Sequence, residues 1–223
     1  MRLRTIPGPE GPLEALLDEP PAVGGVNEEG LVERGLDGGL HAAVVLAHPH
    51  PQYGGTMHTK VVYQAAKAFK RIGCAVLRFN FRGTGMSAGA YDEGRGEMDD
   101  FRAGVAFMRA QYPGAPIWAA GMSFGAWIAL TVGASDPRVT TLLGIAPPLS
   151  RYDFETVRTS AKPKFFIQGE RDELCPLKEM QEFYARAADP KELVVIDAAD
   201  HLFDGKVLDV GDAIEDLLGD WSG

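Results

Sequence analysis

Unbroken apolar runs recur through this chain, separated by stretches with a helical period. From His41 onward the strand candidates built around such runs are Ala42–Ala47, Ala75–Phe81, Ile117–Gly121, Val139–Ile145, Lys164–Gln168 and Leu193–Ile196, with polar residues such as Arg78, Asn80 and Thr141 set among the apolar ones. A strand with one wet face alternates apolar and polar residues; an unbroken run is the signature of a strand covered on both faces. Between the runs, residues 60–72 place Val62, Ala65, Ala66 and Phe69 on one helical face, and Gly73 stops that helix. Further helices are predicted over about 97–111, with Asp99 and Asp100 near the positive end of the helix dipole, over Phe124–Val132, over 177–188 and over about 206–218. Strands alternating with helices in this way specify an α/β fold, a mostly parallel sheet with helices on both faces. Right-handed crossovers then bring the C-terminal strand ends to one rim, where ligands bind in open α/β sheets. Leu13–Leu17 is a further strand candidate. Residues 20–39, with Pro20, Pro21 and many glycines, are expected to be an irregular loop. With no repeat and no linker, residues 1–223 are expected to form a single domain.

Charge and composition narrow the partners. The net charge of −9 repels phosphate backbones and argues against nucleic acid. No run approaches the roughly 18 apolar residues of a membrane span, and no apolar stretch follows the basic start Met1–Arg4, so neither a membrane partner nor a secretory signal is expected. The two cysteines, Cys74 and Cys175, form no metal-type spacing and no disulfide framework, which suits a reduced, cytoplasmic protein. No feature sets an oligomeric state.

Chemistry enters at Gly121-Met122-Ser123-Phe124-Gly125, a G-x-S-x-G sequence placed where a strand ends and a helix begins. Such a turn lifts the serine hydroxyl above the rim, and glycines two before and two after keep Cβ atoms out of a crowded backbone. The alternative is a serine that merely caps a helix. A serine hydroxyl is a weak nucleophile and needs a base, which in turn needs an orienting acid. Of five histidines, His201 lies just past the last strand, on the same rim. The acid is Asp172, after the strand Lys164–Gln168, with Glu170, Glu173 and Asp200 as rivals. For an oxyanion hole, one N–H is expected from Phe124. The second should come from the loop His48-Pro49-His50-Pro51-Gln52-Tyr53-Gly54-Gly55, where prolines cannot donate; His50 is the first choice, with Gln52 or Tyr53 behind it.

In that order, Gly121–Gly125, Asp172 and His201, together with the His-Pro-His-Pro-x-x-Gly-Gly loop, resemble compact bacterial α/β-hydrolases of the serine esterase and dienelactone-hydrolase-like group. Phe81-Arg82-Gly83-Thr84-Gly85-Met86-Ser87 resembles the Arg-Gly-x-Gly-x-Ser loop of the same superfamily. The resemblance spans residues 41–206. It implies a sheet of about eight strands, acyl transfer to water through an acyl-enzyme, and no cofactor. The chain departs from many relatives in having Pro49 after His48 and Asn80 in place of Asp, and it has serine where dienelactone hydrolases use cysteine.

Between the strand ending at Ile145 and the next, only the short stretch Pro147–Ala161 remains for a cap, so an open, shallow cleft is expected, suited to short-chain carboxylic esters. Tyr53, Met57, Phe81 and Phe124 are candidates for its apolar wall. A peptidase, amidase or thioesterase on the same scaffold is the alternative chemistry, and a hydrolase-like binder without turnover the alternative of another class. A metal site built from His48, His50 and His58 lacks a zinc signature, and Gly83-Thr84-Gly85 lacks dinucleotide spacing. Cys175, without an elbow of its own, is a poor nucleophile.

Overall fold

A computed structural model describes residues 2–20 and 40–221. Eight strands form one sheet in the order β1-β2-β4-β3-β5-β6-β7-β8. The strands are β1 (Arg2–Gly8), β2 (Gly11–Asp18), β3 (Ala43–Ala47), β4 (Ala75–Phe79), β5 (Ile117–Met122), β6 (Val139–Ile145), β7 (Lys164–Gly169) and β8 (Lys191–Ile196). The pairs β1/β2 and β2/β4 are antiparallel, and every pair from β4 to β8 is parallel. The helices are α1 (Lys60–Arg71), α2 (Arg95–Gln111), α3 (Phe124–Ser135), α4 (Glu155–Thr159), α5 (Leu177–Arg186) and α6 (Val207–Leu218). The irregular loop expected over 20–39 lies, except for Pro20, outside the described residues.

The apolar runs are continuous because successive side chains serve two different cores. Val45, Leu77 and Phe79 point into one cluster with Phe101, Val105 and Met108 of α2 and Leu130 of α3. Val44, Leu46 and Val76 point into the other, with Val62, Ala65 and Phe69 of α1 and Val210 and Ile214 of α6. Each central strand residue is thereby removed from water, at roughly 25 cal/mol per Å² of apolar surface.

Three local expectations are corrected. β1, absent from the sequence reading, pairs with β2 through the tight turn Gly8–Gly11. β4 ends at Phe79, because beyond it side chains and loops take over the hydrogen bonding: Asn80 Oδ1 accepts from the Met57 N–H (2.9 Å), and the Phe81 N–H donates to His48 Nε2 (3.1 Å). Asp100 does not serve the helix dipole. It accepts from Arg82 Nη2 (2.9 Å), Nε (3.1 Å) and backbone N–H (2.9 Å), anchoring the Arg82–Ser87 loop in the interior. The N-terminus of α2 is held instead by Glu97, whose carboxylate accepts from the N–H groups of Asp92 and Gly94. Asn80 has its own reason to differ from an aspartate: its Nδ2 donates to Glu14 Oε2 at 2.8 Å, where a second carboxylate would repel the first.

Candidate active site

The serine sits at the junction of β5 and α3 with φ 54° and ψ −122°. A non-glycine residue at positive φ is strained by roughly 1–3 kcal/mol, and here the surroundings enforce it. The Ser123 N–H donates to the Ile145 carbonyl at the end of β6 (2.8 Å), and its carbonyl accepts from Ala126 and Trp127, the first turn of α3. The flanking glycines are obligatory on steric grounds. A Cβ on Gly121 would lie 2.2 Å from the Gly125 carbonyl oxygen, and one on Gly125 would lie 2.4 Å from that of His48. The helix thus starts in direct backbone contact with the end of β3.

His201 follows β8 and brings its ring between the other two partners. Nε2 lies 3.0 Å from Ser123 Oγ and Nδ1 lies 2.8 Å from Asp172 Oδ2. A carboxylate only accepts, so Nδ1 carries the proton and Nε2 is left to accept from the serine hydroxyl. Asp172 is itself fixed: Oδ1 accepts from the N–H groups of Leu174 (2.9 Å) and Cys175 (2.8 Å), and Oδ2 also accepts from Gln168 Nε2 (3.1 Å). Its rivals are engaged or turned elsewhere. Glu170 accepts from the Ala198 N–H, tying the β7 and β8 loops together, and Asp200 accepts from the N–H groups of Leu202 and Asp204. Glu173 is exposed. Cys175 is buried beside Asp172 and His201, its sulfur within 4.8 Å of their ligating atoms. Burial, and then the charge of Asp172, push its thiol well above the ordinary range, which leaves no thiolate to compete with Ser123.

On the facing loop, residues Pro51–Tyr53 form a short 3₁₀ turn. The Gln52 N–H donates to His50 Nδ1 (3.2 Å) and the Tyr53 N–H to the His50 carbonyl (3.1 Å), whereas the N–H groups of His50 and Phe124 have no acceptor among the described residues. Because His50 Nδ1 accepts, Nε2–H donates, to the Tyr91 hydroxyl at 3.1 Å. Burial, and then the positive charge of Arg151, hold His50 below the usual histidine range. Both nitrogens of His48 are likewise taken, Nδ1–H by the Pro49 carbonyl and Nε2 by Phe81. Burial chiefly holds its pKa down at about 4.

Above the triad opens a cleft of about 310 Å³ lined by Pro49, His50, Tyr53, Ser123, Phe124, Pro148, Arg151, Tyr152, Leu174, Cys175, His201 and Leu202. Of the residues expected in its wall, Tyr53 and Phe124 are there, the former 83% exposed. Met57 and Phe81 are not. Both are fully buried; Phe81 packs edge-on against Phe79 and Phe124, beneath the cleft. Their places are filled by Tyr152, Leu174 and Leu202. Tyr152 stacks on Trp127 with ring centroids 4.0 Å apart and planes 9° from parallel. Trp127 in turn packs against Gly94, where any Cβ would be 2.3 Å from its ring.

This fold and this triad define a serine hydrolase of the α/β-hydrolase class without a large cap domain. The chain belongs to the family described as serine aminopeptidase, S33, whose profile matches residues 39–158. It is 37% identical, over 79% of its length and 77% of the relative's, to an uncharacterised protein of Rickettsia prowazekii. Among solved structures it is similar to an alpha-beta serine hydrolase homologue from Coxiella burnetii, with 33% identity, a TM-score of 0.85 and 97% of each chain covered. It is also similar to an α/β serine hydrolase without lid from Xanthomonas campestris, with 35% identity, a TM-score of 0.84, and 96% of this chain and 92% of that one covered.

Proposed function

We propose that the protein hydrolyses small carboxylic esters with short acyl groups. The observation that carries this reading is the assembled relay Ser123 Oγ–His201 Nε2–Asp172 at 3.0 and 2.8 Å, opening directly into an uncapped, largely apolar cleft of about 310 Å³. Ser123 Oγ attacks the ester carbonyl as His201 Nε2 takes its proton. The imidazolium, stabilised by Asp172, then gives that proton to the departing alkoxide. Water repeats the sequence on the acyl-enzyme. The negative oxygen of each tetrahedral intermediate is assigned to the N–H groups of Phe124 and His50, neither of which has an acceptor among the described residues; Gln52 and Tyr53 have spent theirs in the turn.

The family description names a peptidase, and an aminopeptidase must recognise a free amino terminus, normally with a carboxylate. Among the described residues no carboxylate lines the cleft, and the permanent charge there is the cation Arg151. Ester cleavage, with its better leaving group and no need for such an anchor, fits this lining.

Treating the intact protein with a fluorophosphonate and mapping the adduct by mass spectrometry tests the reading. Label on Ser123, p-nitrophenyl acetate turnover that falls by at least about 10⁴-fold in Ser123→Ala, and slower cleavage of long acyl chains are expected. Faster cleavage of an aminoacyl p-nitroanilide than of the acetate would instead establish the peptidase chemistry.

A further inference from the structure

The cleft carries one charged residue that the mechanism does not use. Arg151 lines it from the segment after β6, and its guanidinium has no carboxylate partner among the described residues. Seven other arginines, Arg71, Arg78, Arg82, Arg95, Arg102, Arg138 and Arg158, are each in an ion pair; Arg4, Arg109, Arg171 and Arg186 are in none among the described residues, but none of these four lines the cleft. Asp153, near it in sequence, accepts from the Glu155 N–H (2.8 Å), Asp172 belongs to the triad, and neither is in an ion pair with Arg151.

Arg151 is also presented from a fixed position. Its N–H donates to the Pro148 carbonyl (3.0 Å) and the Leu149 N–H donates to that of Pro147 (2.9 Å), a turn built on two residues whose φ is locked. The next residue, Tyr152, is stacked on Trp127. The charge bears on three walls of the cleft at once: beyond the larger effect of burial at each, it favours the neutral form of His50 and the ionised forms of Tyr152 and Cys175. A cation held over an apolar cleft in a protein of net charge −9 is a local reversal of the prevailing field.

We propose that Arg151 forms an anion subsite, and that the preferred substrates are esters bearing a carboxylate at the far end of the acyl or alcohol portion. This rests on the ester reading above and narrows it. The guanidinium forms a two-pronged, charge-assisted pair with the carboxylate while the ester lies across Ser123. The pair orients the substrate and takes no part in the bond changes.

The test uses Ser123→Ala, which binds without cleaving. Two pairs of ligands are titrated: 4-carboxyphenyl acetate against 4-carbamoylphenyl acetate, with the charge on the alcohol side, and monophenyl adipate against its terminal carboxamide, with the charge on the acyl side. In at least one pair the carboxylate should bind about tenfold more tightly than the amide. That preference should shrink with added salt and vanish in Ser123→Ala/Arg151→Gln, while the amides bind both proteins equally. In active protein, Arg151→Gln should raise KM for the favoured carboxylate about tenfold more than it raises KM for neutral phenyl acetate. Equal binding of acid and amide in both pairs, binding of neither, or a preference that survives Arg151→Gln overturns the subsite. Failure of the wild type to cleave phenyl acetate would count separately, against ester hydrolysis itself.

Discussion

Asp172 holds its histidine with one oxygen while Oδ1 is occupied by two backbone N–H groups and Oδ2 also by Gln168. An asparagine would keep its carbonyl oxygen toward the two backbone donors. That turns its NH₂ toward Gln168 and toward His201 Nδ1, donor against donor. The imidazole escapes the conflict by carrying its proton on Nε2, where it can no longer accept from Ser123. Asp172→Asn should therefore lower kcat by about 10⁴-fold with a thermal midpoint near that of the wild type, as measured by steady-state kinetics and circular dichroism. A variant with near-normal kcat would show that another acid orients the ring. At this scale the triad was legible in the sequence, because each member follows an apolar strand and so must arrive at the same rim. The cleft wall was not. Tyr152, Leu174 and Leu202 come from separate loops with no periodicity to announce them, and the Tyr91–His50 hydrogen bond joins two loops distant in sequence. Met57 and Phe81 were apolar and near the motifs, but apolar residues next to a site are as useful to the core beneath it.

Among the elements, the strand–turn–helix around Ser123 has the least room for change. α3 meets β3 backbone to backbone, and the absence of a side chain at Gly125 is what permits it. In Gly125→Ala the methyl group would have to displace the His48 carbonyl or push α3 away from the sheet, at a cost of about 3 kcal/mol. A midpoint lowered by about 6–12 °C in a thermal scan is expected for a domain of this size; one within 2 °C or so would mean that α3 backs away freely. The helices and parallel strands were readable because each is wrapped on the sheet and shows its period. β1 was not, since an edge strand with Arg2, Arg4 and Thr5 among its residues has no apolar run to display. α4, five residues long, is too short for a helical period.

For the molecule as a whole, pH dependence of stability follows from His48. The folded protein refuses it a proton down to about pH 4, whereas the unfolded chain accepts one near the ordinary histidine value of 6.5. Between those limits the unfolded state binds more protons, so stability declines as pH falls through that window and is fully present above it. His50, also held low, adds in the same sense. Urea unfolding at pH 7 and pH 5 should differ by about 2 kcal/mol from His48 alone, and His48→Gln should flatten the difference, since an amide can both accept from Phe81 and donate to Pro49. The segment between β6 and β7, where a cap could have been inserted, holds only α4. Among the described residues no element has to swing shut before reaction, so the shape that they present to an incoming molecule is already final, and discrimination by them rests on rigid walls such as the Tyr152–Trp127 stack. The same openness serves the second half of the cycle, because the solvent molecule that must release the acyl group is never shut out.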